Sequence, residues 1–125
     1  MKGLALLLMV AAAVSALIGM AWGIQMSATG DHSLSPAHAH LNLLGWVSLA
    51  IFAVFYHLVP AAADSLLAKI QGGVAIAGLV LIVPGIVMAL TQSGETLAKI
   101  GSVLTILSML LFVVVLLTKG RAAQA

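Results

Sequence analysis

The sequence contains no cysteine, only three acidic residues and only five lysines and arginines among 125 residues. The absence of cysteine excludes disulfides, thiolate metal sites, iron–sulfur clusters and covalent heme attachment through a Cys-x-x-Cys-His motif. Charged residues make up 6% of the chain and hydrophobic residues 63%, and the mean hydropathy is +1.26. Since soluble domains carry far more charge, the composition predicts a membrane protein. The net charge of +2 is too small to indicate a nucleic-acid partner.

Four apolar runs are each long enough to cross a bilayer, which takes about 20 helical residues. They predict helices at about residues 3–26, 36–59, 69–90 and 95–117. The first run, after Lys2, would also suit a signal peptide, but it exceeds the usual apolar core of roughly 7–15 residues. Because short polar connections join the runs, the predicted fold is all-α: a single polytopic membrane domain formed by an antiparallel bundle of four transmembrane helices.

The basic residues predict how this bundle is oriented in the membrane. In the antiparallel arrangement Lys2, Lys69, Lys119 and Arg121 fall on one side, and only Lys99 falls on the other. Since basic residues accumulate on the cytoplasmic side of membrane proteins, both termini are predicted to be cytoplasmic. The loop after the first helix is then predicted to face the outer side.

The beginning of the second helix carries the candidate site. Ser35 is a good N-cap and Pro36 suits the first helical position, so a helix is predicted to start here. His38 and His40 follow in its first two turns. Each residue of an α-helix turns about 100°, so the two imidazoles should point to nearly opposite flanks and cannot both bind one small ion. Histidines within a membrane segment are costly, which indicates a functional role.

This second helix resembles a helix of the heme–copper oxidase superfamily. The matching residues are His38-Ala39-His40, Leu44-Gly45-Trp46 and Phe55-Tyr56-His57-Leu58-Val59-Pro60. They are similar to the tenth transmembrane helix of the catalytic subunit of C-family oxidases, and nitric oxide reductases carry a similar His-x-His. The resemblance covers about residues 31–60, and Tyr56-His57 stands where the oxidases often have two tyrosines.

The family's ligands imply what this segment would bind. In the oxidases the first histidine of the pair binds the high-spin heme and the second binds the low-spin heme, on opposite flanks. The resemblance therefore implies noncovalent heme b with His38 and His40 as iron ligands, in a bacterial inner membrane. Asn42 would hydrogen-bond either the cofactor edge or a neighbouring helix. Trp46 would pack either on the porphyrin or between helices.

The family's architecture also implies an assembly. The oxidase subunit has twelve helices in three arcs of four, and this chain resembles one arc. Three copies would form a C3 homotrimer within the lipid bilayer, in which His38 of one protomer and His40 of the next bind one heme. Six-coordinate iron of this kind suits electron transfer, because it has no open position for a substrate. A quinone and a periplasmic electron carrier are the candidate redox partners.

Three alternatives remain open. A copper or zinc site from His32, His38 and His40 would need an extended segment, against which Pro36 argues. A small oxidoreductase acting on O2 or NO would lack a full set of copper ligands, because His57 lies about 25 Å from His40 along the helix. A structural membrane protein would use the histidines only for hydrogen bonds. An electron-transfer protein is therefore favoured over an enzyme.

Two residue pairs give predictions about packing. Gly19 and Gly23 have the spacing that permits close contact between membrane helices, although small residues are also common in such helices without a dedicated role. Tyr56 and His57 lie at the end of the second helix, where aromatic and polar rings often sit at the membrane interface. They are predicted to form an interfacial anchor.

Overall fold

The computed structural model describes residues 1–120. Within them the chain forms helices and turns and no strand. Four helical spans are long and apolar enough to cross a membrane, which confirms the prediction of an all-α, multi-pass membrane protein. Spans 1 to 4 are Gly3–Thr29, Ser35–Leu58, Leu66–Leu90 and Thr96–Gly120.

The ends of span 1 and the loop after it follow from local backbone chemistry. The span continues to Thr29, three residues beyond the predicted end, and Gly30 stops it with a left-handed φ of 69°. In the exposed loop Asp31 accepts a hydrogen bond from the backbone N–H of Ser33 at 3.0 Å. Hydrogen bonds from Ser33 lower the pKa of the Asp31 carboxyl.

The start of span 2 differs from the prediction in one respect. Pro36 does lie in the first turn, but Ser35 is already helical and makes no cap bond. Its hydroxyl donates instead to the carbonyl of His32 at 2.8 Å. The predicted N-cap role of Ser35 is therefore wrong, because the helix begins one residue earlier than predicted and Leu34 occupies the cap position.

Span 2 is not a uniform α-helix. An α segment, Ser35–His40, is followed by a π segment, Leu41–Ser48, and by a second α segment, Leu49–Leu58. The hydroxyl of Ser48 donates to the carbonyl of Leu43, five residues earlier, at 2.9 Å. A π segment is wider than an α-helix, is rare in proteins and frequently occurs at functional sites. Its presence changes the angular relation between the histidine pair and the rest of the span.

Span 3 begins three residues earlier than predicted because Ser65 caps it. The Ser65 hydroxyl accepts a bond from the N–H of Ala68 at 3.2 Å. The span then runs through Pro84 to Leu90 without interruption. A tight turn that includes Gly94, at a φ of 120°, leads into span 4.

Spans 3 and 4 cross with their backbones in direct contact. A Cβ added to Gly101 would lie 2.6 Å from the Cα of Ile82, and one added to Gly85 would overlap the backbone of Ala98. Small residues allow this approach in membrane helices. Span 1 packs along span 2 in the same way, where Gly45 lies against Ser15.

A buried polar chain ties three spans together. The Tyr56 hydroxyl donates to Oε1 of Gln71 at 2.9 Å, and Nε2 of Gln71 donates to the carbonyl of Ser108 at 3.3 Å. Tyr56 is 1% exposed, so its prediction as an interfacial residue is wrong, whereas His57 is exposed. Tyr56 lies inside because Gln71 in span 3 supplies its hydroxyl with an acceptor. The ring of Phe112 packs on Tyr56 from span 4, with centroids 6.2 Å apart.

Candidate ligand site at the start of span 2

His38 lies in the contact between spans 1 and 2. Its Nε2 is 2.9 Å from the carbonyl oxygen of Gly19, and because a carbonyl can only accept, Nε2 carries the ring proton. The edge of Trp22 meets the imidazole with ring centroids 5.9 Å apart. A Cβ on Gly23 would lie 3.3 Å from Nε2. The two glycines therefore leave a recess that the His38 ring fills.

Asn42 occupies the same recess, one turn after His38. Its Nδ2 donates to the backbone carbonyl of His38 at 2.9 Å. The same Nδ2 is 3.3 Å from Nε2 of His38, but both nitrogens carry protons, so this approach is a contact and not a second hydrogen bond. A Cβ on Gly19 would lie 2.5 Å from Oδ1 of Asn42. Gly19 and Gly23 thus give span 1 room for two polar side chains.

His40 has a different hydrogen-bond partner and the opposite ring tautomer. It is partly exposed, and its Nδ1 donates to the carbonyl of Pro36, one turn earlier, at 2.7 Å. This bond places the proton on Nδ1 and leaves the lone pair on Nε2. A bond from Nδ1 to a backbone carbonyl is the usual way in which proteins prepare Nε2 of a histidine for a metal.

The remaining sequence candidates are spread along the chain. Trp46 lies in the π segment and is 41% exposed, so no helix of its own chain buries the indole. His32 is exposed in the loop, with Nδ1 3.3 Å from the carbonyl of Gly30. Within residues 1–120 no three His, Cys, Asp or Glu side chains form a group that could hold a metal ion. The structure therefore does not assemble His32, His38 and His40 into one site.

Two features of the site were not assigned from the sequence. The carbonyl of Gly19 and the ring of Trp22 surround His38, and only the spacing of Gly19 and Gly23 indicated that this face of span 1 makes close contact. The π segment Leu41–Ser48 had no signal in the sequence. In a π segment each backbone carbonyl accepts a hydrogen bond from the N–H five residues later and not four. Packing across the whole span decides between these two patterns.

Comparisons with known proteins give no family for this chain. No protein-family model matches it, and neither the curated proteins nor the solved structures include a match. The resemblance to heme–copper oxidases consequently depends on the residues of span 2 alone and stays a prediction.

Proposed function

We propose that this chain is a membrane heme b protein that transfers electrons, with His40 as an iron ligand. The supporting observation is the orientation of the His40 ring. Its Nδ1 is held by the Pro36 carbonyl at 2.7 Å, so Nε2 keeps its lone pair on a partly exposed surface of span 2. Such an arrangement restricts ring rotation and orients the ligating nitrogen.

The His40 geometry fits a heme iron ligand, and the His38 geometry fits one only after a rearrangement. Nε2 of His38 is engaged by the Gly19 carbonyl, so the ring must turn away from span 1 before this nitrogen can bind iron. Losing one hydrogen bond of this kind costs about 0.5–1.5 kcal/mol. Heme, when bound, supplies reversible one-electron chemistry, and the chain supplies the ligand nitrogen and an apolar surrounding that excludes water.

The second ligand comes from a neighbouring protomer in this proposal. The α segment Ser35–His40 is regular, so its two imidazoles are separated by roughly 200° and one chain cannot place both on one iron. In a C3 homotrimer His38 of the next protomer, turned away from its own span 1, would complete the coordination of the iron that His40 binds. Asn42, one turn after His38, would contact the porphyrin that His38 binds, and the exposed Trp46 would pack on a porphyrin from further along the span.

The distribution of lysines supports a location for the site. Lys2 and Lys69 line one cleft at the end of the bundle, and Lys99 lies at the other end beside Glu95. By the preference for basic residues inside, the proposal places both termini in the cytoplasm and His40 near the outer face of a bacterial inner membrane. A periplasmic carrier or a quinone at that face would exchange electrons with the heme.

A second candidate function has its own support. The His38 ring donates to Gly19, and Asn42 donates to the His38 carbonyl, so these polar groups of span 2 are satisfied within the chain. Hydrogen bonds between helices are a common use of polar side chains in membrane proteins. A structural membrane protein without a cofactor would need nothing more from His38.

The optical spectrum of the purified protein separates these functions. We expect a Soret band and the sharp reduced bands of low-spin heme, without a change on addition of carbon monoxide, since no coordination position is open. His40→Ala should remove the low-spin spectrum. His57→Ala is the matched control, because this exposed histidine is about 25 Å further along span 2 and its loss should leave the spectrum unchanged.

Three outcomes would contradict the proposal. A folded protein without a Soret band would support the structural function. Carbon monoxide binding by the reduced wild type would support a small oxidoreductase acting on O2 or NO. A low-spin spectrum that survives in His40→Ala, in a protein that elutes like wild type, would rule out His40 as the ligand.

A further inference from the structure

A cleft of about 600 Å³ opens at the end of the bundle that is remote from the histidine pair. It is enclosed by the first residues of span 1, the last residues of span 2, the short helix Pro60–Ala63 and the first turn of span 3. Its volume lies within the range of sites that bind small molecules, which is about 300–1,000 Å³. The cleft is unrelated to the proposed heme site and needs its own explanation.

Two lysines from separate elements converge on this cleft. Lys2 precedes span 1 and Lys69 lies in the first turn of span 3, and both line the cleft together with the carboxylate of Asp64. Among residues 1–120 a single ion pair is formed, between Lys99 and Glu95 at the opposite end of the bundle. Neither cleft lysine is therefore neutralised by a carboxylate side chain. The side chains of Lys2, Lys69 and Asp64 together carry a charge of +1 when His57 is counted as neutral, and the α-amino group of Met1, which also lines the cleft, adds positive charge.

Most of the remaining lining is apolar, and the cleft lies at the end of the four spans, where a bilayer that they cross would have its headgroups. Leu4, Ala5 and Ala63 are among its apolar lining residues. On the neighbouring surface Leu66 is 73% exposed and Ile70 is 47% exposed, so an apolar path leads from the cleft along span 3. Lysines at helix ends commonly reach toward the interface in this manner, with their alkyl stems on apolar surface.

We propose that this cleft binds the headgroup of an anionic phospholipid that carries one phosphodiester, such as phosphatidylglycerol. The phosphate lies between the ammonium groups of Lys2 and Lys69, and the acyl chains follow the exposed apolar surface of span 3. The net positive charge of the cleft favours a lipid headgroup that carries a negative charge. The imidazole of His57, which also lines the cleft, is a hydrogen-bond donor for the headgroup hydroxyls.

Native mass spectrometry of the full chain, released from detergent and titrated with phosphatidylglycerol, tests this site. Phosphatidylcholine, which has no net charge, and inorganic phosphate are the comparison probes. We expect phosphatidylglycerol to bind more tightly than phosphatidylcholine and inorganic phosphate to leave the bound lipid in place. Lys2→Gln and Lys69→Gln should each weaken phosphatidylglycerol binding about fivefold, the effect of roughly 1 kcal/mol per interfacial basic residue.

The chain offers a matched control. Lys119 lies at the same end of the bundle but does not line the cleft, so Lys119→Gln removes the same charge from the same membrane face and should leave binding close to wild type. Lys69→Arg keeps the charge and should retain binding. Asp64→Asn removes a carboxylate that repels the lipid phosphate, so this variant should bind phosphatidylglycerol more tightly. Elution volume and thermal midpoint show that each variant is folded.

Any of three results would overturn the lipid site. The first is equal losses of binding in Lys69→Gln and Lys119→Gln, which would show only a general effect of surface charge. The second is equal affinity for phosphatidylglycerol and phosphatidylcholine. The third is displacement of the lipid by inorganic phosphate, which would identify a site for free phosphate. None of these measurements depends on bound heme.

Discussion

His38 and His40 have the same side chain and are separated by one residue, yet their hydrogen bonds assign them opposite tautomers. The Gly19 carbonyl takes the Nε2 proton of His38, whereas the Pro36 carbonyl takes the Nδ1 proton of His40. The nitrogen that usually binds heme iron is thus occupied in one ring and available in the other. The carbonyl acceptor beside each imidazole therefore determines which ring nitrogen keeps a free lone pair.

Tyr56 illustrates the cost of an unpaired polar atom in the bundle core. Its hydroxyl bonds Oε1 of the fully buried Gln71. Tyr56→Phe should lower the free energy of unfolding by about 1–2 kcal/mol, because the amide oxygen then has no donor and no water to replace it. Unfolding in detergent followed by circular dichroism measures the change.

A double variant distinguishes this cause from lost packing. Tyr56→Phe combined with Gln71→Leu removes both partners and should be more stable than Tyr56→Phe alone. Equal stability of wild type and Tyr56→Phe would show that the bond between these two side chains contributes nothing.

The pairing of whole spans depends on backbone contact at glycines. Gly85 in span 3 faces the backbone of Ala98 in span 4, and Gly101 in span 4 faces Ile82 in return. Neither position has room for a side chain, since backbone atoms on the facing helix cannot move aside as a side chain can. Spans 3 and 4 consequently form one tightly packed pair within the bundle.

Replacing Gly85 by alanine should separate that pair. We expect Gly85→Ala to lower the free energy of unfolding by about 1–3 kcal/mol through overpacking. Gly73→Ala is the control within the same span, because a Cβ at Gly73 meets nothing within 4 Å. Since alanine favours a helix over glycine, Gly73→Ala should be neutral or slightly stabilising. Thermal midpoints in detergent provide the comparison, and equal midpoints for the two variants would contradict close packing of spans 3 and 4.

The whole molecule has two ends of different character. The end with the histidine pair carries the loop between spans 1 and 2, and the other end carries the cleft with Lys2 and Lys69. In a membrane the proposed heme site and the proposed lipid site would therefore lie at opposite faces. Both can be occupied at once, since the four spans separate them.

The lack of native cysteine allows this orientation to be measured directly. Ser33→Cys places one thiol in the loop between spans 1 and 2, and Ala61→Cys places one at the opposite end; both positions are exposed. On intact cells a membrane-impermeant maleimide should label Ser33→Cys, and it should label Ala61→Cys only after permeabilisation. The reverse pattern would place the termini outside.

Shared coordination in the trimer predicts complementation between variants. Neither His38→Ala nor His40→Ala alone should show six-coordinate heme, but co-expression of the two should restore it at interfaces where one chain supplies His40 and the other supplies His38. The reason is that in the proposed trimer each heme would take its two ligands from different chains. Co-purification through two affinity tags followed by optical spectroscopy measures the recovery. A low-spin spectrum in His38→Ala alone would show that His38 is not the second ligand, and a monomer with six-coordinate heme would exclude sharing.

The amino-acid sequence by itself determined the number of spans, their approximate bounds and their antiparallel order. Each span is defined by a run of apolar residues, and insertion in a bilayer depends on composition summed along that run. The sequence also placed His38 and His40 near the start of span 2, and the angle of about 200° between residues i and i+2 of a regular α-helix placed them on opposite flanks. These properties depend on neighbours along the chain and can be derived without knowledge of other elements.

Only the tertiary structure decided which polar groups meet. The acceptor for His38 is 19 residues away in span 1, the acceptor for Tyr56 is 15 residues away, and the acceptor for Gln71 is 37 residues away in span 4. The tautomer of His38 and the burial of Tyr56 both follow from these distant partners. In an apolar bundle every buried donor must find an acceptor, and helix packing determines which acceptors come within 3.5 Å.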